Sequence, residues 1–425
     1  MEWGWDNARA LIGIALIFAI AWGISENRKA FPWRIVLGAV GLQFAFALLL
    51  FGVPVVRNGL ASANTFVDAL EAATAAGTGL IFGPILGIQE NWEAHVGGPG
   101  PIFIFQILPL IIVVAALSAI LWHWGVLRWI TKGFALVFER IMGIGGAASL
   151  GVSANVFMGM TEAPVLIKPY LKAMSRSEIF IIMVSGFATI AGSVLIVYVG
   201  LLGNTFADPL AQLFSASILA CPAAVALALV IVPETTEKSA RAQEPDFGYK
   251  STMDAFATGA TDGLQILLNV ATMLIAALAL LHLVNLGLGA LPDLGGEAIS
   301  IQRLLGWVFA PIMYFIGVPW EEAARSGSLM GIKTVLTEFV AFLDLANIPQ
   351  DEMTARTRMI TAHAINGFAN FGSMGILIGG LTIIEPARRD TFLSLAWKTL
   401  IAGSLATCLS GAVVGALPAA LFFGS

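Results

Sequence analysis

The chain has 425 residues, 58% of them hydrophobic and only 12% charged, with a mean hydropathy of +0.87 and a net charge of −5. An ordinary soluble domain carries about 25% charged residues, so this composition excludes one. Its continuous apolar runs exclude the alternating pattern of a β-barrel. An all-α polytopic membrane protein is expected. Cys221 and Cys408 lie in separate apolar runs and offer no disulfide framework, while His95, His123, His282 and His363 are scattered without ligand spacing. The negative charge is spread along the chain and gives no footprint for nucleic acid.

The first apolar run follows Glu2 and Asp6, is followed by basic residues and carries no cleavage signature. It is therefore expected to be a membrane helix rather than a signal peptide. A spanning helix needs about 20 predominantly apolar residues. Eight stretches suit this: 10–25, 35–54, 103–123, 178–203, 210–232, 263–288, 358–383 and 393–423. Segments 126–144, 146–175, 304–318 and 320–345 are apolar but too short, or too interrupted, to cross. In 126–144, Arg128, Lys132 and Arg140 alternate with Trp129, Phe134 and Phe138, which suits a helix lying in the interface. Segment 304–318 is its counterpart. Residues 234–250 form the longest polar stretch and read as a solvated linker.

Charge orders these pieces. One set of loops holds Arg28, Lys29, Arg34, Arg128, Lys132, Arg140, Lys168, Lys172, Arg176, Lys238, Arg241, Lys250, Arg388, Arg389 and Lys398. The opposite set holds Asp68, Glu71, Glu90, Glu93, Asp208, Asp293 and Glu297. The positive-inside rule then puts both termini outside the cytoplasm. It holds only if 146–175 and 320–345 each enter and leave on one side, as two opposed re-entrant hairpins. Length agrees: about 15 helical positions in 146–160 give about 22 Å, short of a core about 30 Å thick.

An internal repeat runs through these segments. "TEAPVLIKPY" followed by "SGFATIAGS" resembles "TEFVAFLDLA" followed by "NGFANFGSM". The two copies lie in opposite orientations, as in the inverted repeats of secondary transporters. The second member of each copy is rich in glycine beside Thr189 and Ser193, or Asn370 and Ser373, and predicts a discontinuous helix. The expected organisation is N-terminal scaffold helices over 1–125, a first repeat over 126–232, a linker and scaffold helix over 233–303, and a second repeat over 304–425.

The polar residues inside the apolar runs mark a site. A carboxylate at bilayer depth is costly and usually functional. Glu162 follows Thr161, a helix N-cap candidate, and precedes Pro164, which is tolerated in a first helical turn. Glu338 follows Thr337 in the same way. Two hairpin tips approaching from opposite sides would bring both carboxylates near the midplane, with Asn370, Ser373 and the ring of Phe368. Such a site suits a small uncharged polyhydroxylated or heterocyclic solute. Asn155, the hydroxyl of Thr189 and the carbonyls of Met158 and Ile190 would make an all-oxygen cage for a hard cation.

The order "SANVFMGMTEAPVLIKPY", "GFATIAGS", "LLGWVFAPIMYFIGVPWEEA", "TEFVAF" and "GFANFGSMGILIGG" closely resembles the concentrative nucleoside transporters over nearly the whole chain. The resemblance implies eight membrane helices, two re-entrant hairpins and a homotrimer in a bacterial inner membrane. It also implies inward nucleoside transport coupled to sodium or protons, without enzymatic chemistry. Position by position, it implies that Gly159, Met160, Thr161, Glu162 and Val194 face the nucleobase. Glu338, Asn370 and Ser373 would hold the ribose, with Phe368 lining the site, and Asn155, Met158, Thr189 and Ile190 would bind sodium. Met160 stands where the family often has a glutamine, and Thr189 where it often has a serine. Asn155 favours sodium. Its binding would fix the first hairpin tip before the hairpin domain moves against a fixed scaffold. Proton coupling is the near alternative, and a channel or a nucleoside receptor the distant ones.

Overall fold

A computed structural model describes residues 3–96, 103–160, 162–235, 248–293, 296 and 298–423. Thr161, Lys238, Arg241 and Glu297 lie outside these residues, as do the side chains of Glu90, Glu93 and His95. All regular structure among the described residues is helical.

Helices α1 (Trp5–Gly23) and α2 (Trp33–Gly52) match the first two expected spans. Helix α3 (Pro54–Val96) was not expected. Arg57, Asp68 and Glu71 interrupt its sequence, so no long apolar run announces it, yet it folds as one helix against α2. The third expected span is broken at Pro109 into α4 (Phe103–Gln106) and α5 (Leu110–His123). Helix α6 (Val126–Met142) leaves α5 at 76°, in keeping with an interfacial course.

The first hairpin comprises α7 (Gly146–Ala154), α8 (Ala163–Leu166) and α9 (Lys168–Leu171). Its first arm has nine helical residues, not about 15; the remainder of the tip is irregular. Helices α10 (Arg176–Ala188) and α11 (Gly192–Leu201) form the first discontinuous helix. Ser175 and Glu178 start α10 with a reciprocal cap, the serine Oγ accepting from Glu178 N at 3.0 Å and Glu178 Oε2 from Ser175 N at 3.1 Å. Helix α12 (Pro209–Ile231) completes the repeat, and α13 (Thr252–Gly289) follows.

The second repeat runs through α14 (Ile301–Phe315), α15 (Trp320–Val335), α16 (Glu338–Asn347), α17 (Ala355–Ile365) and α18 (Phe371–Ile384). A 3-10 turn at Pro386–Arg388 leads into α19 (Arg389–Ala416) and α20 (Ala420–Phe423). Helices α14 and α15 meet at a bend of 120°. Among the described residues, six helices are long and apolar enough to span a membrane, and up to eight if each bent pair is one span. The chain is a multi-pass membrane protein.

Packing shows the two-fold relation. Helix α10 packs on α12 and α19, and α17 packs on α19 and α12. Helix α7 packs on α6 and α10, and α15 on α14 and α17. Helix α11 touches α16, while α18 touches α8. Exchanging the repeats leaves this set of contacts unchanged. Helices that are apolar all round belong in a core: α12 is buried along nearly its whole length. Helix α13 is only 6% buried over its most apolar stretch.

The two Gly-Phe-Ala motifs are not structural equivalents. Gly186–Ala188 is the last turn of α10, whereas Gly367–Ala369 lies inside the break between α17 and α18. The helix ends correspond instead: Thr189 ends α10 as Asn366 ends α17, and Ala191 begins α11 as Asn370 begins α18. The second break is longer, which displaces the motif. The breaks pack together, since Gly367 (φ +113°) lies against the backbone of Phe187 and Ala188 with no room for a Cβ.

Candidate functional site

The first hairpin tip begins where α7 ends at Asn155. The chain turns at Gly159, whose N–H donates to Glu162 Oε2 at 3.0 Å, folding the carboxylate back over the tip. Glu162 itself is the N-cap of α8, and Pro164 sits in its first turn as expected. Thr161, the expected cap, lies outside the described residues. The tip is fixed to the first break by Gly192, whose N–H donates to Phe157 O at 3.0 Å.

The second tip is a helix start. Thr337 caps α16, its hydroxyl accepting from Val340 N at 3.4 Å. Glu338 occupies the first turn, where the helix dipole favours negative charge. It is 5% exposed. Tyr198 Oη donates to Glu338 Oε1 at 2.8 Å, and Asn370 Nδ2 donates to Oε2 at 3.1 Å. Asn370 is held from its other end, its Oδ1 accepting from Ser373 N at 2.7 Å. Four lone-pair directions on a carboxylate leave two for further donors. Buried Lys333 donates to Thr407 Oγ1 at 3.4 Å and lies within electrostatic reach of Glu338.

Both tips and both breaks line one cavity of about 150 Å³. Of the nine residues expected at the substrate, Gly159, Met160, Glu162, Val194, Glu338, Phe368, Asn370 and Ser373 are brought together there. Sequence reasoning missed Tyr198, which lies one helical turn beyond Val194 on the same face of α11. It also missed Asn269 and Met273 on α13, which close the cavity from outside the repeats. The signal for Asn269 was present: Asp262, Gln265 and Asn269 recur on one helical face in an otherwise apolar stretch.

The expected cation residues form a neutral oxygen set. Asn155 is 1% exposed; its Nδ2 donates to Ser185 Oγ at 2.7 Å, and its Oδ1 has no partner. Thr189 Oγ1 donates to Ser185 O at 3.0 Å, which leaves its lone pairs free. Among the described residues, the carbonyls of Met158 and Ile190 accept no backbone hydrogen bond. A buried amide oxygen without a donor costs free energy. A hard cation bound by oxygens would satisfy it, so the residues fit the expected ion.

Three family descriptions match along the chain: "Na+ dependent nucleoside transporter N-terminus" at residues 12–85, "Nucleoside recognition" at 104–205, and "Na+ dependent nucleoside transporter C-terminus" at 212–415. The nucleoside permease NupC of Helicobacter pylori is 32% identical, over 96% of each chain. The chain belongs to the concentrative nucleoside transporters. Within that family, an uncharacterized transporter of Haemophilus influenzae is 36% identical over 96% of each chain. Sodium/nucleoside cotransporter 1 of Rattus norvegicus is 32% identical over 95% of this chain and 63% of the rat protein. The transporter fold is also that of CNTnw in an inward-facing substrate-bound state, with a TM-score of 0.87 at 35% identity over 97% of each chain. A doubly substituted CNTnw in an outward-facing state matches with the same TM-score of 0.87.

Proposed function

We propose that this family member is a sodium-coupled importer of nucleosides working by alternating access. The observation that carries the proposal is the single cavity lined by Glu162 of one hairpin and Glu338 of its inverted counterpart. Glu338, Asn370 and Ser373 take the ribose hydroxyls. Gly159, Met160, Thr161, Glu162 and Val194 face the base, with Phe368 on the cavity wall. Asn155, Thr189 and the carbonyls of Met158 and Ile190 hold sodium.

Sodium is cargo as well as organiser. It ties the end of α7 to the break after α10 and so fixes the tip that carries Glu162. Substrate then neutralises the hydrogen-bonding demand of both tips. The two repeats, with their hairpins, move as a unit against a scaffold made of the helices of residues 1–125 and α13, which assembles as a homotrimer. The weak burial of α13 in one chain supports a partner or lipid on that face. The protein works in a bacterial inner membrane, and the asymmetry of its basic loops supports an orientation with both termini outside the cytoplasm. No bond is made or broken in this cycle.

Uptake of uridine into proteoliposomes, with choline substituted for sodium at constant pH, tests the proposal. Uptake should depend on the inward sodium gradient. Undiminished uptake in choline would overturn sodium coupling, and uptake following a pH gradient alone would favour the proton-coupled alternative.

A further inference from the structure

The cavity at the hairpin tips adjoins a second one. This outer cavity has a volume of about 450 Å³ and shares Glu162, Ile266 and Asn269 with the first. Glu162 therefore contributes to the wall of both. Pockets for small organic ligands commonly occupy about 300–1,000 Å³. The outer cavity falls in that range, whereas the inner one, at about 150 Å³, is a tight fit.

One wall of the outer cavity is α13. Thr258, Asp262, Gln265 and Asn269 all line it. Their spacing of four, three and four residues puts them on one helical face. All four are exposed toward the cavity side. Asp262 stands at the edge of the expected span 263–288 and Gln265 and Asn269 lie inside it, so the strip carries polar groups into the membrane, where they are costly and mark a water-filled path or a ligand. Gln265 Nε2 donates to Asn269 Oδ1 at 3.2 Å. That bond orients both amides and leaves Gln265 Oε1 as an acceptor and Asn269 Nδ2 as a donor. Asp262 supplies acceptors only. Asp262 and Glu162 line the same cavity, so its wall carries two carboxylates. A neutral solute rich in O–H and N–H donors satisfies both at once.

We infer that the Asp262–Gln265–Asn269 face of α13 is a second nucleoside subsite, which receives the substrate as it leaves the hairpin tips. The inference rests on the transport reading above. Asp262 takes the ribose hydroxyls, and the paired amides read the edge of the base. Asn269 lines both cavities, so it keeps contact while the solute passes from one to the other. The subsite belongs to α13 rather than to the hairpins, and its contacts are made on the side facing α6 and Tyr249, which the basic loops assign to the cytoplasm.

Equilibrium binding of tritiated uridine to the purified full-length protein, in detergent with saturating sodium, tests this. Wild type should show a tight phase and a second, saturable phase weaker by roughly tenfold or more. Asp262→Asn should weaken the second phase by about tenfold and leave the first within about twofold. Gln265→Leu, which removes no charge, should act on the same phase. Glu338→Gln should do the reverse. A single phase in wild type, or a second phase unmoved by both α13 substitutions, overturns the subsite alone. A protein that binds uridine in neither phase overturns the transport reading and the subsite with it.

Discussion

Tyr198 on α11 donates a hydrogen bond from its phenol to Glu338 on α16 across 2.8 Å, so the carboxylate at the second hairpin tip is oriented by the first repeat. Both groups are buried. Hydrogen bonds to a charged group contribute about 1.5–3 kcal/mol. Tyr198→Phe keeps the ring and deletes only this donor. It should raise the uridine Kd by about tenfold and lower folded stability by about 1–2 kcal/mol. With the ribose held as proposed, Glu338→Gln puts an amide donor opposite hydroxyl donors and should cost at least about a hundredfold in Kd. Isothermal titration in detergent measures both. Normal binding by either variant would remove Glu338 from the ribose.

Asn155→Ala should separate sodium from nucleoside. A ligand that binds only the folded protein stabilises it by about 2.7 kcal/mol at a hundredfold excess over Kd. In wild type, exchanging choline chloride for sodium chloride should raise the melting temperature. The alanine variant lacks the orphan Oδ1, so its melting temperature should be the same in both salts. A sodium-dependent shift retained in full would place the ion elsewhere.

Gly192→Ala tests the joint between the tip and the break. A Cβ there would stand 2.9 Å from Phe157 O, the oxygen that accepts the Gly192 N–H. Backbone must yield, at about 1–3 kcal/mol, and the carbonyl of Met158 moves with it. The sodium concentration giving half-maximal uridine binding should rise by roughly tenfold. Gly379→Ala is the control. It adds a methyl to an exposed position in α18 with nothing within 4 Å. It should stabilise by about 0.5–1 kcal/mol.

The site was legible in the sequence wherever a polar residue interrupted an apolar run. Glu162, Glu338, Asn370 and Asn155 are costly at bilayer depth, so each announced itself. The hairpins and breaks followed from length and glycine. Tyr198 was hidden because an aromatic in an apolar helix reads as packing. Helix α3 was hidden because its charges suggested a loop. In the structure Glu71 packs against Gly200 of α11, an arrangement that only the tertiary fold supplies. The Gly-Phe-Ala match located the repeat but misaligned it, because a break of five residues replaces one of three. Asp262, Gln265 and Asn269 were readable by helical spacing and were passed over because the span around them is apolar.

Glu26 gives the fold an acid-sensitive tie outside the membrane-spanning segments. It lies in the loop between α1 and α2 and pairs with Arg176 at 3.0 Å and Lys398 at 2.6 Å, joining that loop to α10 and α19. Partial burial works against its ionisation, but the hydrogen bonds and charges of Arg176 and Lys398 outweigh it and hold its pKa below the usual carboxylate value. A carboxyl lowered on folding contributes stability above its unfolded pKa and loses it as pH falls through its folded pKa. Glu26→Gln should therefore cost up to about 1 kcal/mol at neutral pH and nothing once the pH has fallen through the ordinary carboxylate range and on past the lowered pKa of Glu26, so that the wild-type group is itself protonated. Melting curves of both proteins across that range measure the difference. A gap that persists in acid would mean that packing, not charge, makes the tie.

The proposed base contact at Met160 would set how sharply the base is read. Met160 is 8% exposed, lines the central cavity, and packs its Cβ over Gly186 beside Asn155 Oδ1. Its thioether is a weak acceptor and no donor, and its flexible chain adapts to different partners. It therefore adds contact without distinguishing a pyrimidine edge from a purine edge. The wild-type Kd values for uridine, cytidine, adenosine and guanosine should fall within about tenfold of one another. Met160→Gln keeps the length and supplies an amide that both donates and accepts. The best-matched base should then bind about three- to tenfold tighter, and the spread should widen toward a hundredfold, because an amide left unpaired by the wrong base is penalised. If rank and spread stay unchanged, the base edge is read by Glu162 and by Asn269 of α13, the polar groups that remain around it.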